Sequence, residues 1–323
     1  MLATIIGLGV AIWTFGATGF AEVAAIVGRI GIGGFLIFLA WSIFVFGLLG
    51  AAWLAATPGE PWRRVTLFAW ARMVREGASD LLPFSQLGGI ILGTRVVANA
   101  GVPTSRVYAA LVVDLTTEMA GQLVFTLFGL AMMASLLAGA SAASALRPMI
   151  LGGTGFMIVA ILAFFFAQRS AINLTERIAG HFLPGSAEVI GGIHAELTNI
   201  YSRRRRVLAA FAFNLMSWTG SAFGAWLVLR LMGVPVSVWT VLSLESLIFT
   251  LRSIAFMIPG ALGVQEATYM LAGPLFGLPP DVSLALSLAK RARDVTIGLP
   301  TLLVWQLLEA RATAKAALSR TAG

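Results

Sequence analysis

The sequence predicts an all-α polytopic membrane protein, a helix bundle in which two segments are broken by proline and glycine. Three observations predict it. Of 323 residues, 59% are hydrophobic and only 11% charged, against about 25% charged in a soluble domain. Several apolar runs reach the roughly 20 residues that cross a bilayer. And the stretch "SIAFMIPGALGVQEATYM", Ser253 to Met270, places a proline, glycines, a glutamine and a glutamate in strongly apolar surroundings. In hydrocarbon an unpartnered backbone group costs several kcal/mol, so such a break is tolerated only inside protein or along a wet cavity.

The net charge of +8 reads as a topology signal. No basic stretch is interleaved with aromatics, so no nucleic-acid partner is expected. The absence of cysteine excludes disulfides, thiolate metal sites and cysteine nucleophiles. His181 and His194 have no companions at metal-ligand spacing. There is no Walker A motif, no Gly-x-Ser-x-Gly and no Ser/His/Asp set, so neither a metal, a cofactor nor a catalytic residue is expected.

Taken in order, a first span covers 3–27. It lacks the basic residues that open a signal peptide and its apolar run is long for one, so it is expected to be retained. A second span covers 31–56. "TPGEPWRRV" then breaks the chain, and 65–79 form a helix in which Arg72 and Glu76, four apart, share a face. Residues 79–93 are apolar but interrupted by Pro83, Gly88 and Gly89. Spans follow over 106–138 and 148–167. Residues 168–206 are polar and end in "SRRRR"; Val189, Ile193, Leu197 and Ile200 recur at helical spacing, which predicts an amphipathic helix on the membrane surface. Arg203 to Arg206 place this loop on the cytoplasmic side, as a topology anchor or as a contact for anionic lipid. Spans at 207–232 and 236–257, the broken stretch, and a long helix over 280–310 complete the chain, whose basic tail also reads as cytoplasmic.

No linker separates soluble domains, so the whole chain, 1–323, is expected to be one integral membrane domain. Its two halves, 1–167 and 207–310, would be joined by the polar loop 168–206. The breaks have matched surroundings. Arg75 is 8 before Pro83 and Arg252 is 7 before Pro259; Asp114 and Glu118 are 31 and 35 after Pro83, and Lys290 and Asp294 are 31 and 35 after Pro259. Both an internal repeat and coincidence account for this. Paired Pro/Gly-interrupted segments point to a transporter's binding site.

The half-helix after Gly263 would aim its N-terminal N–H groups into a cavity, suiting an anionic or hydroxylated ligand group. Glu266 in its first turn would cap it, serve the site, or both. Asp114, Glu118 and Gln122, four apart, form a polar stripe on an apolar helix. Charges inside a membrane usually face the bundle interior in pairs. This stripe is expected to meet Lys290 or Arg291 across the domain centre, unless Lys290 to Asp294 lie near a membrane end and snorkel. Glu245 and Arg252, seven apart, are expected to act locally.

"PGALGVQEA" followed by "GLPPDVSLALSLAKRARD" resembles the second signature of the flippase-like superfamily that includes the transmembrane region of lysylphosphatidylglycerol synthases. Pro259, Gly260, Gly263 and Glu266 fit its Pro-Gly-Gly-Leu-Gly-x-x-Glu pattern, with Ala261 in place of the middle glycine, and Arg291 matches a downstream arginine. In the first signature Asp80, Pro83 and Gly88 fit loosely; its basic and acidic positions are filled by Ser85, Gln86 and Gly89. With "VVDLTTE" after it, this variant is similar to the branch associated with hopanoid biosynthesis.

The resemblance implies a bacterial inner-membrane protein that moves or presents a lipid, a hopanoid, related polycyclic lipid or phospholipid, with lipid-export or lipid-biosynthesis proteins as partners. Pro259, Gly260, Gly263, Glu266, Asp80, Pro83, Gly88, Asp114, Glu118 and Arg291 would bind it, while Lys290, Asp294 and Arg252 would form structural charge pairs. A lipid-modifying transferase and a non-transporting scaffold are the alternatives. In lysylphosphatidylglycerol synthases aminoacyl transfer resides in a separate soluble domain, and the chain ends about a dozen residues after its last expected span, so that domain is expected to be absent.

Overall fold

The computed structural model describes residues 2–81, 85–136, 186–254 and 264–321, with Gly152, Gly155, Val159 and Leu162 between them. Pro83, residues 255–263, most of the span expected over 148–167, and residues 168–185 lie outside the described residues. Among the described residues every regular element is helical: α1 (Leu2–Ala55), α2 (Val65–Leu81), α3 (Ser85–Asn99), α4 (Thr104–Leu136), α5 (Ser186–Ser202), α6 (Arg204–Leu231), α7 (Val238–Ile254), α8 (Val264–Ala272) and α9 (Pro280–Thr321). The protein is an all-α membrane protein. Gly28–Ala55, Thr104–Gly129 and Arg204–Leu231 are long and apolar enough to cross a bilayer. They coincide with the spans expected over 31–56, 106–138 and 207–232. Ile32, Leu36, Ile37, Ile43 and Phe44 of α1, and Leu303, Val304, Leu307 and Leu308 of α9, are exposed, as apolar side chains facing hydrocarbon would be.

The first two expected spans join in α1 and are interrupted at Gly31, which has φ 71° and ψ 158°, a backbone conformation open to glycine at little strain. Short connections then bring α2 back along α1. They pack closely because Gly50 has no side chain; a Cβ there would lie 2.4 Å from the backbone nitrogen of Ala69. Small residues let membrane helices approach in this way.

The helix expected on the membrane surface forms as α5, but its apolar stripe is not turned to lipid. Leu197 and Ile200 are buried in a cluster with Trp53, Val107, Ala110 and Ala210, and Ile193 packs against the same cluster. From Ile193 to Ile200 the stripe is covered by α4 and α6, so helical periodicity identified this apolar face correctly and its partner wrongly. Arg106 of α4 fixes the docking through Glu196, 3.1 Å away.

The helix contacts follow a two-fold pattern. Exchange α1 with α6, α2 with α7, α3 with α8 and α4 with α9, and the contacts map onto one another. Thus α1–α2 becomes α6–α7, α4–α6 becomes α1–α9, α4–α7 becomes α2–α9, α2–α3 becomes α7–α8, and α1–α4 becomes α6–α9, while α1–α6 maps onto itself. Among the described helices only α5 stands outside the exchange. The register of 176 residues between Pro83 and Pro259 runs through these same helices. Two of the crossings between the halves, α4–α7 and α2–α9, set the helix leading to Pro259 against α4 and the helix leading to Pro83 against α9.

Candidate functional site

The polar axis of the bundle is built from two buried ion-pair networks. In the first, Arg72 and Arg75, one helical turn apart on α2, face Asp114 and Glu118, one turn apart on α4. Arg72 Nη1 donates to Asp114 Oδ2 at 2.9 Å, Arg72 Nη2 donates to Glu118, and Arg75 lies 3.5 Å from Asp114 and 3.4 Å from Glu118. Arg72 and Asp114 are fully buried. From α6, Asn214 Nδ2 donates to Asp114 Oδ1 at 3.2 Å and to Thr117 Oγ1 at 3.0 Å, and the Trp218 indole donates to the Glu118 carbonyl at 3.1 Å. The expected Arg72–Glu76 neighbourhood is present at 3.2 Å.

In the second network Lys290 Nζ of α9 donates to Glu245 Oε2 of α7 at 2.6 Å and to the Tyr269 hydroxyl of α8 at 2.8 Å. Tyr269 in turn donates to the other oxygen of Glu245. The aromatic faces of Phe249 and Tyr269 lie 4.9 Å and 5.4 Å from the ammonium, which adds cation–π attraction in a desolvated place.

The structure therefore corrects the expected pairing. Asp114 and Glu118 do not meet Lys290 or Arg291; each side of the stripe is neutralised within its own set of helices. Glu245 is not a local residue of α7 but the counter-charge of Lys290, and Arg252 reaches Asp80 of α2 at 3.7 Å. An isolated buried charge is far costlier than a paired one, and the nearest complementary pairs were already present: Arg72 and Arg75 at i, i+3 opposite Asp114 and Glu118 at i, i+4. That complementary spacing is the signal by which the sequence could have shown this network. Nothing comparable marked Tyr269 or Asn214.

Glu266 lies in the first turn of α8 and accepts from Arg291 Nη2 at 2.7 Å. Beside it Gln265 Nε2 donates to Ser287 Oγ at 3.0 Å, so α8 is tied to α9 at two successive residues. Pro83, Pro259, Gly260 and Gly263 lie outside the described residues. Gly88 is described, but open space surrounds it. The close approach of α2 and α3 occurs one residue later, where a Cβ on Gly89 would lie 2.4 Å from the Arg75 carbonyl oxygen.

The Asp80–Arg252 contact brings the ends of α2 and α7, the two helices that lead to Pro83 and Pro259, side by side. Next to it a small cleft of about 10 Å³ opens between α2 and α9, lined by Glu76, Gly77, Asp80, Arg293, Asp294 and Gly298, with Phe46, Met73 and Ile297 as its apolar wall. Arg293 Nε donates to Asp294 Oδ1 at 2.9 Å. The cleft is shut where Gly77 meets Gly298: a Cβ on either glycine would lie 3.2 Å from the other's Cα. This volume holds about one water molecule, so the arrangement is a closed one. It concentrates the carboxylates of Glu76, Asp80 and Asp294 with the Arg293 guanidinium, and Arg252 beside them, where α2 and α7 converge.

The family model for the lysylphosphatidylglycerol synthase transmembrane region matches residues 1–301. The chain belongs to this family. Neither a curated protein nor a solved structure matches it. The matched region contains both ion-pair networks, the Asp80–Arg252 contact and the cleft, and the family points to a membrane protein of lipid-related function.

Proposed function

We propose that the protein moves a membrane lipid between leaflets, taking its polar end into the cleft between α2 and α9 while the hydrocarbon body stays in the bilayer. The observation that carries this reading is the Asp80–Arg252 contact, which joins the ends of α2 and α7 beside a charged cleft. Charges inside a membrane usually line a pathway or pair within one, and here they do both. Glu266, held by Arg291, is a further hydrogen-bond acceptor on the half-helix that follows the second break. The mixed signs favour a hydroxylated or zwitterionic headgroup over a simple anion, since three carboxylates would repel the latter. A hydroxylated hopanoid or related polycyclic lipid, expected from the resemblance to the hopanoid-associated branch, meets that description. Opening would proceed by separation of α2 from α9 at Gly77 and Gly298. The bacterial inner membrane is the setting that the resemblance implies.

Proteoliposomes loaded with a polyhydroxylated hopanoid test this. Periodate added outside cleaves vicinal diols only in the outer leaflet, so a lipid that does not flip leaves about half its pool intact. The wild-type protein should expose the whole pool, and Asp80→Asn should slow this. A parallel assay with fluorescent phosphatidylcholine and dithionite reports on the phospholipid. If half of each lipid stays protected in wild-type proteoliposomes, the transport reading is wrong and a scaffold or transferase takes its place.

A further inference from the structure

The opposite end of α2 from the cleft carries a surface that the transport reading does not use. Here the end of α1, the start of α2, the α3–α4 turn and the α5–α6 junction converge. Arg206 Nη1 donates to the Thr57 carbonyl at 2.9 Å, fastening the start of α6 to the end of α1. Arg64 Nη2 donates to the Ala100 carbonyl at 3.0 Å, fastening the start of α2 to the α3–α4 turn. The Trp62 ring lies 6.0 Å from Phe213 of α6. These ties hold the start of α2 and the α5–α6 junction at one end of the bundle, where Arg63 and the run Arg203, Arg204 and Arg205 are all exposed.

The local acids are already engaged: Glu60 by Arg64 at 2.6 Å and Glu196 by Arg106 at 3.1 Å. Among the described residues no carboxylate pairs with Arg63, Arg203, Arg204 or Arg205, and Arg203 and Arg206 repel one another. The folded chain thus brings together a basic cluster that it does not neutralise. An apolar surface adjoins it. Trp62 is 50% exposed and Leu208 is 64% exposed, and Leu208 lies one turn from Arg204 on the same face of α6. A Trp, an exposed Leu and a row of arginines in this order mark the boundary between hydrocarbon and headgroups.

We propose that this surface is a specific seat for the phosphate of an anionic phospholipid, its acyl chains lying against Trp62 and Leu208. The seat lies at the start of α2 and the cleft is lined from Met73 to Asp80, roughly 12–22 Å along the helix at 1.5 Å per residue, so the seat is distinct from the proposed transport pathway. It is also more than a topology signal. A topology signal needs charge in the nascent chain, whereas this seat exists only when the Arg206–Thr57 and Arg64–Ala100 ties have formed.

Native mass spectrometry of the detergent-purified protein, offered cardiolipin and phosphatidylcholine in equal amounts, tests the proposal without reference to membrane orientation. The wild-type protein should retain cardiolipin preferentially. Joint substitution Arg203→Gln, Arg204→Gln and Arg205→Gln should lower that preference by about fivefold per arginine removed. The corresponding Lys substitutions should keep most of it, and phosphatidylcholine retention should not change. Should the triple Gln variant fail to fold, the wild-type protein provides the test. Raising ammonium acetate from about 0.1 M to about 1 M shortens the Debye length from about 10 Å to about 3 Å and should erode the preference. Equal retention of both lipids by the wild type, an unchanged ratio in the folded Gln variant, or a ratio indifferent to salt would each overturn the proposal.

Discussion

Replacing Arg72 by Gln should be among the most destabilising single changes in the protein, and clearly more so than replacing Arg75 by Gln. Arg72 is fully buried and engages Asp114 at 2.9 Å, Glu118, and Glu76 at 3.2 Å. Breaking a buried ion pair by deleting one partner costs about 3–5 kcal/mol, because the other charge stays buried. The residual environment sets the value within this range. After Arg72→Gln, Asp114 keeps Arg75 at 3.5 Å and the Asn214 amide at 3.2 Å, and Glu118 keeps Arg75 at 3.4 Å. That partial compensation places the loss near the lower end, about 3 kcal/mol. Arg75→Gln removes only the longer contacts and leaves the shorter ones intact, so about 1–2 kcal/mol is expected, the worth of a weakened charged hydrogen bond. At roughly 2 °C per kcal/mol for a chain of this size, the unfolding midpoints in detergent should fall by roughly 6 °C and roughly 3 °C. Intrinsic fluorescence reads this well, because Trp218 donates to the Glu118 carbonyl. Equal losses for the two variants, or no loss for Arg72→Gln, would refute the assignment of Arg72 as the centre of this network.

The second network makes a parallel prediction with a rescue. Lys290→Met leaves Glu245 buried with only the Tyr269 hydroxyl and should lower the midpoint sharply, whereas Lys290→Met combined with Glu245→Gln should recover most of the loss; a double variant as unstable as the single one would argue against the pair. Glu266→Gln keeps size and hydrogen bonding but removes the counter-charge of the buried Arg291, so stability should fall by about 1–3 kcal/mol while periodate accessibility of the hopanoid slows in proteoliposomes by more than that loss accounts for. Wild-type transfer by Glu266→Gln and by Glu266→Ala would leave Glu266 with a structural role alone, at the start of α8 and beside Arg291.

Much of the fold could be read from the sequence because its signals are local. Apolar length gave the spans at 31–56, 106–138 and 207–232, and the helix expected over 65–79 forms as α2 over Val65–Leu81. The interruption at Gly31 and the close helix contacts at Gly50 and Gly77 were not singled out by the sequence, because which of 35 glycines meets a neighbour is decided by packing. The pairing of charges was not legible, because it depends on which helices are neighbours. Asp114 and Lys290 occupy equivalent positions under the 176-residue register, and the two-fold arrangement of contacts gives each its own partner helix. Equivalence in the sequence thus separated the residues that charge alone would have joined. The same reason explains α5: periodicity defined a face containing Ile193, Leu197 and Ile200, and only tertiary structure showed that protein covers it. The role of Tyr269 as a bridge between Glu245 and Lys290 had no sequence signal, since a tyrosine one turn past Glu266 fits an apolar helix equally well.

The central claim is that lipid movement requires α2 and α9 to part at the Gly77–Gly298 contact. The chain contains no cysteine, so a variant carrying Gly77→Cys and Gly298→Cys has a single pair of thiols. A Cβ at either position lies 3.2 Å from the opposite Cα, close enough for a disulfide after a small adjustment of the helices. Hopanoid flipping is then measured in proteoliposomes before and after oxidation, and again after reduction. The account predicts flipping in the reduced protein, arrest on oxidation and recovery on reduction. Flipping at the same rate in the oxidised, crosslinked protein would contradict it.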